Sequence, residues 1–268
     1  MSAVRPISAE DEHGLTAQAE DQLLLSAALE LGERLLECGG EVSRVEDTIQ
    51  RVCASYGALR TDVFAITSSI VVTMEREGRI VTQTRRITHT TTDLKLLERL
   101  NALSRSICAE RPPVEGLRER VRSCVTGESR DSLFPLVGYI LAASAFAVFF
   151  GGGWQDAVCA AVCAVLVFLL DRFARPLLRN GLLYTLFCSV CAGAMAMLCR
   201  QLGLCLQTDK VMIGTIMLLV PGIALTNALR DLFMGDTISG ILRLLEAVLQ
   251  AGAIACGFAL AIWMGGLL

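Results

Sequence analysis

Histidine is nearly missing from this 268-residue chain; His13 and His89 are the whole supply. A Ser-His-Asp or Cys-His site would therefore have to be built on His89 with Cys38 or Cys53, and no nucleophile elbow surrounds any serine. No catalytic residue, metal ligand set or cofactor is expected. A phosphate-cradling loop is missing too, since Gly39-Gly40 follows a helical pattern rather than a strand and has no Lys-Ser or Lys-Thr beside it. There is no basic excess: 24 basic side chains face 27 acidic ones, interleaved, which argues against nucleic acid as a partner. The first twenty residues lack a basic start, an apolar run and a cleavage site, and hold Glu10, Asp11, Glu12 and Glu20, so no secretory signal is expected. The cysteines number eleven, an odd count without framework spacing, and the Cys188-x-x-Cys191 pair reads as small apolar helix residues rather than a redox motif. What the second half lacks is charge. Of 51 charged side chains, 38 fall in residues 1–132 and 13 in residues 133–268.

That asymmetry implies two solvents. The expected architecture is an α-helical integral membrane protein with about five transmembrane helices and a small N-terminal α+β cytoplasmic domain. Residues 1–19 read as a flexible tail and residues 20–111 as the cytoplasmic domain. From Asp21, the positions Leu24, Ala27, Ala28, Leu31, Leu35 and Cys38 keep helical spacing up to Gly39-Gly40, and Val42, Val45, Ile49, Val52 and Cys53 repeat it up to Tyr56-Gly57. Extended patterns follow over 63–67, 69–74 and 79–87, with a turn at Glu75-Arg76-Glu77-Gly78. Thr91 or Thr92 is placed to cap a helix carrying Leu94, Leu97, Leu100, Leu103 and Ile107. Residues 112–132 read as an amphipathic linker whose Arg118, Arg120 and Arg122 suit anionic headgroups.

Residues 133–268 hold five apolar segments, about 134–150, 154–170, 182–199, 211–232 and 244–264, each able to cross hydrocarbon about 30 Å thick. Arg130 before the first and Arg172, Arg175 and Arg179 after the second, against a first loop of Gly151-Gly152-Gly153, orient the chain with its N-terminus in the cytoplasm and its C-terminus outside.

The fourth segment is interrupted at Pro221-Gly222. Proline removes a backbone donor, and groups freed in lipid are tolerated where protein or a wet cavity satisfies them, as at transport sites. Thr226, Asn227, Arg230 and Asp231 follow on about one face, and Asp236, Arg243 and Glu246 gather near the next helix start. Asn227 and the converging carboxylates and guanidiniums would be costly against lipid. The expected substrate-binding residues are Pro221, Gly222, Thr226, Asn227, Arg230 and Asp231, with Asp236, Arg243 and Glu246 as gate or coupling groups.

Two stretches carry a resemblance: Gly39-Gly40-x-x-x-Arg44-Val45-Glu46 through Tyr56-Gly57, and Pro221-Gly222-x-Ala224-x-x-Asn227-Ala228-x-Arg230-Asp231 with Gly235-Asp236 and Gly240-x-x-Arg243. Together they resemble the threonine/serine exporter family, in its shorter, two-component (YjjP-like) type. The resemblance implies a multi-pass inner-membrane protein exporting amino acids such as threonine and serine, or dicarboxylates such as succinate. It also implies a small membrane subunit that completes the transporter, as a homo- or hetero-oligomer in the lipid bilayer. Gly39, Gly40, Arg44 and Glu46 are then the cytoplasmic-domain motif, and proton coupling through Asp231 or Asp236 would fit a secondary exporter. The competing readings are a membrane-anchored enzyme with a hydrolase-like cytoplasmic domain, and a sensor or scaffold subunit gating a partner.

Overall fold

The computed structural model describes residues 9–126, 134–178 and 180–266, with side chains from Thr16 onward. The chain divides into two compact units. One comprises residues 1–128 together with Thr226–Arg243, the other Ser129–Leu225 with Leu244–Leu268.

The first unit begins with α1 (Ala9–Glu37) and α2 (Val42–Ser55). Residues 9–19, read from the sequence as part of a tail, already belong to α1; residues 1–8 lie outside the described residues. The helical hairpin turns at Gly39, whose φ of 93° a side chain would strain. Gly39 N–H donates to Leu36 O at 3.2 Å and Gly40 N–H to Leu35 O at 2.8 Å, the paired bonds of a Schellman stop. Gly40 is required for a second reason, since a Cβ there would lie 2.6 Å from Leu35 O.

Strands β1 (Arg60–Ile66), β2 (Ser69–Arg76) and β3 (Arg79–Arg86) form an antiparallel meander. Val63 pairs with Val72 and Met74 with Val81. Glu77 and Gly78 both have positive φ, as a two-residue hairpin turn demands. Ile70, Val72 and Met74 point alternately inward from β2 and join Leu25, Leu29, Leu36 and Ile49 in one core. Helices α3 (Leu94–Glu110) and α4 (Val114–Thr126) close it with Leu100, Ile107, Leu117 and Val121. The cap of α3 is Asp93, whose Oδ1 accepts from Leu96 N–H at 3.0 Å, and not Thr91 or Thr92.

Two buried acids in the body of α1 tie it to these partners. Asp21 meets Arg79 at 2.7 Å and Arg76 at 3.1 Å, and Glu30 meets Arg118 at 2.8 Å and Arg122 at 3.1 Å. The arginines of α4, expected to face headgroups, are thus engaged within the protein; Arg120 also pairs with Glu110 at 3.0 Å. Residues 127–133, including Arg130, lie outside the described residues.

The second unit contains α5 (Phe134–Phe149), α6 (Trp154–Phe173), α7 (Gly181–Gln201), α8 (Thr208–Leu219) and the larger part of α10 (Thr237–Gly265). Its helices approach through small residues. A Cβ on Gly214 of α8 would lie 2.5 Å from Ala143 O of α5, and one on Gly257 of α10 would lie 2.5 Å from Ser189 Cβ of α7. Gly252 has open space around it instead. Asp156, fully buried in the first turn of α6, accepts from Gly153, Leu206 and Gln207 N–H at 2.8, 2.8 and 2.9 Å. It fastens the α5–α6 loop to the α7–α8 loop, so both loops lie at the same end of the helices.

By length and composition α7 and α10 can each cross a membrane, and α8 with α9 (Gly222–Met234) makes a third crossing if the pair, bent by 54°, is one broken span. The sequence suggested five. α5 has 16 residues, about 24 Å of helix against hydrocarbon of about 30 Å, and α6 carries Asp156, Asp171 and Arg172 in its 20 residues.

Candidate functional site

The site is assembled at the α1–α2 turn. Val220 ends α8 in an extended conformation, as a residue preceding proline prefers, and α9 restarts at Gly222 after Pro221. α9 stops at Gly235, with φ of 97°, and Asp236 N–H donates back to Asp231 O at 2.9 Å. α10 then begins so close to α9 that a Cβ on Gly240 would lie 2.6 Å from Leu232 Cγ. This folded-back segment belongs to the same compact unit as residues 1–128.

Its polar side chains take hold of the glycine turn. Asn227 Nδ2 donates to Gly39 O at 3.1 Å, and Arg243 Nη2 donates to Gly40 O at 2.8 Å. Arg230 pairs with Glu41, the residue that precedes α2. The carbonyls leaving the C-terminal end of α1 carry partial negative charge, so an amide and a guanidinium are suitable partners. Arg243 also reaches Asp231, Nη1 to Oδ2 at 3.2 Å. Asp231 is 1% exposed, and neither carboxylate oxygen completes a hydrogen bond among the described residues. A buried carboxylate held by one guanidinium that also holds a backbone carbonyl is a coupled arrangement: a change at Asp231 is felt at Gly40.

Asn227, Arg230, Asp231 and Arg243 are therefore brought together, with Gly39 and Gly40 as their counterparts. Glu46 stands at the edge of this cluster. Its Oε1 accepts from Ala65 N–H at 2.8 Å, and burial, with Asp236 adding repulsion, raises its carboxyl above the ordinary value despite that bond. Arg44 and Glu246 are exposed, and Thr226 is exposed on α9. Pro221 and Gly222 fall in the other compact unit. The two motifs were separate in the sequence because nothing in a periodicity says that residue 39 meets residue 227. The signal available was the spacing of Asn227 and Arg230, which puts two donors on one helix face.

The cysteine chemistry considered for a hydrolase is disfavoured. Burial pushes the thiols of Cys38 and Cys53 up to about 12, away from the thiolate, and His89 is exposed, 3.6 Å from Glu37. Among the described residues no group of three or more His, Cys, Asp or Glu is placed to hold a metal.

A family model described as "Putative threonine/serine exporter" matches residues 26–264. The chain belongs to the threonine/serine exporter family. Its match spans both compact units and all the residues of the glycine-turn cluster. A Corynebacterium glutamicum protein named "Threonine/serine exporter" is 26% identical over 95% of this chain and 54% of its own length, so the chain spans about half of that relative. A Klebsiella aerogenes protein named "Probable succinate transporter subunit YjjP" is 24% identical over 93% of this chain and 97% of its own length. No solved structure matches.

Proposed function

We propose that the chain is a subunit of a secondary, proton-coupled exporter of small hydrophilic metabolites, seated in the inner membrane with its N-terminus in the cytoplasm and its C-terminus outside. A small membrane subunit is its partner, a reading supported by the word subunit in the Klebsiella aerogenes relative's name. Amino acids of the threonine/serine type, or dicarboxylates such as succinate, are the solutes suggested by the relatives' names.

The observation that carries this reading is the grip of Asn227, Arg230 and Arg243 on Gly39, Gly40 and Glu41. Pro221, Gly222, Thr226, Asn227, Arg230 and Asp231 line the solute path, and Asp236, Arg243 and Glu246 stand at its mouth. In the held state the polar groups of this path are occupied by the protein's own carbonyls and carboxylate. Passage exchanges those partners for the solute's. A proton arriving at Asp231 removes the charge that holds Arg243, which loosens Gly40 and opens the mouth; Asp236 and Glu41 are the other carboxylates near Asp231.

A membrane-anchored enzyme fits less well, because the Cys-His chemistry available to it has buried, protonated thiols. The test is export from vesicles holding the chain with and without the partner subunit, across a panel of amino acids and dicarboxylates. Flux that needs the partner and fails in Asp231→Asn supports the proposal. Absence of flux for every solute, with both subunits inserted, refutes it.

A further inference from the structure

A cavity of about 600 Å³ lies in the membrane unit where α5 begins and α6 ends, and the reading above does not use it. Pro135, Tyr139, Phe168 and Pro176 form its apolar wall. Asp171, Arg172 and Arg175 supply its charge, two guanidiniums against one carboxylate. The size falls within the roughly 300–1,000 Å³ of small-molecule sites.

The carboxylate is committed to the protein. Asp171 Oδ1 accepts from Arg175 Nη1 at 2.8 Å and from Tyr184 O–H at 3.2 Å. Those bonds, with the guanidinium 5.8 Å from the centre of the Tyr184 ring, fix where Arg175 stands. A guanidinium has five N–H donors, and the Arg175 side chain is still 54% exposed, so it can hold an anion without leaving Asp171. Arg172, on the same cavity, is exposed as well. The cavity is left with one positive charge in excess, which matches the single negative charge of a phosphodiester. Around it the surface is apolar: Phe134 at the start of α5, Phe173 at the end of α6 and Leu177 beyond it are largely exposed. Arginines at a helix end, a tyrosine, and apolar side chains outside them are the make-up of a protein surface at the headgroup level.

We infer that the cavity holds the phosphate of an anionic phospholipid. Arg172 and Arg175 donate to the phosphate oxygens. Tyr139 and Phe168, set edge to face with ring centroids 5.7 Å apart, pack against the glycerol and the first methylenes of chains that run out over Phe173 and Leu177. The headgroup recognition that the sequence suggested for Arg118, Arg120 and Arg122 passes to α6 and the residues just after it, because those three arginines pair with Glu30 and Glu110. A zwitterionic lipid is held less well, since its ammonium adds positive charge to a site already in positive excess. Inorganic phosphate or succinate brings negative charge but leaves the apolar wall and its surroundings wet. The inference needs the chain to lie in a bilayer and is independent of the solute exported.

Native mass spectrometry of the full chain, released from detergent, resolves single bound lipids. Phosphatidylglycerol and phosphatidylcholine of equal chain length are the probes, and the first phosphatidylglycerol is expected to bind at least tenfold more tightly. Arg172→Gln/Arg175→Gln should remove most of that preference. Arg200→Gln, in the last turn of α7 and so at the opposite end of that helix from Tyr184, should keep it. Equal affinity for the two lipids, or a preference that survives the double variant, overturns the inference. So does displacement of phosphatidylglycerol by millimolar inorganic phosphate or succinate, which assigns the cavity to a soluble anion. Should the double variant fail to fold, the comparison of lipids and the displacement, both made on the wild type, still decide.

Discussion

Arg230 and Arg243 contact neighbouring residues of the same turn, yet their environments make them unequal. Arg230 is 55% exposed, and an exposed pair contributes less than about 1 kcal/mol. Arg243 is 11% exposed and holds a carboxylate that is 1% exposed. Its removal leaves that charge buried without a partner, a loss on the order of 3–5 kcal/mol. Arg243→Ala should therefore lower the melting temperature sharply and Arg230→Ala hardly at all, with Arg243→Ala/Asp231→Asn recovering part of the loss. Asp156 invites a similar comparison in the membrane unit. Asp156→Ala leaves the Gly153, Leu206 and Gln207 N–H groups without their shared acceptor and should cost on the order of 1–3 kcal/mol, while Asp156→Asn keeps an acceptor oxygen and should cost less, as read by thermal unfolding in nanodiscs. Neither role was legible in the sequence. A lone acid opening an apolar helix reads as a cap, and its bonds to residues 206 and 207 exist only after α7 has brought the chain back.

Elements were more legible than their partners. The glycine pair, the three strands and the stripe of α3 are local patterns, and the structure repeats them because positive φ, pleat and helical period act over a few residues. The arginines of α4 were open to two readings because Glu30 lies 88 residues from Arg118 and 92 from Arg122. Burial alone would raise the Glu30 carboxyl, but the hydrogen bonds and charges of Arg118 and Arg122 bring it below its ordinary 4.5. The stabilisation is complete above that value and disappears as pH falls through the lower folded value. Unfolding midpoints from pH 6 down to pH 3 should thus fall less steeply in Glu30→Gln than in the wild type. Glu46 has the opposite sign. Burial raises its carboxyl, so its contribution is present below 4.5 and disappears as pH rises through the raised value. Glu46→Gln, which can still accept from Ala65 N–H, should flatten the decline in stability between pH 4.5 and neutrality.

At the scale of the whole molecule, the division of charge along the chain pointed to a membrane protein, and the division into compact units follows a different line. Thr226–Arg243, inside the apolar half of the sequence, folds with the polar half. Hydropathy counts side chains over a window and so assigned Asn227 to the depth of a bilayer; the structure places its amide on Gly39 O. The family match spans both compact units, and within the first of them Asn227, Arg230 and Arg243 meet the glycine turn. The most direct test of that contact as a gate is solute accumulation by vesicles containing the chain and the proposed partner, wild type against Asn227→Ala. If the turn controls passage, the variant inserts normally but its accumulation ratio falls towards one while downhill leak persists. Accumulation equal to wild type, with no added leak, would contradict the account.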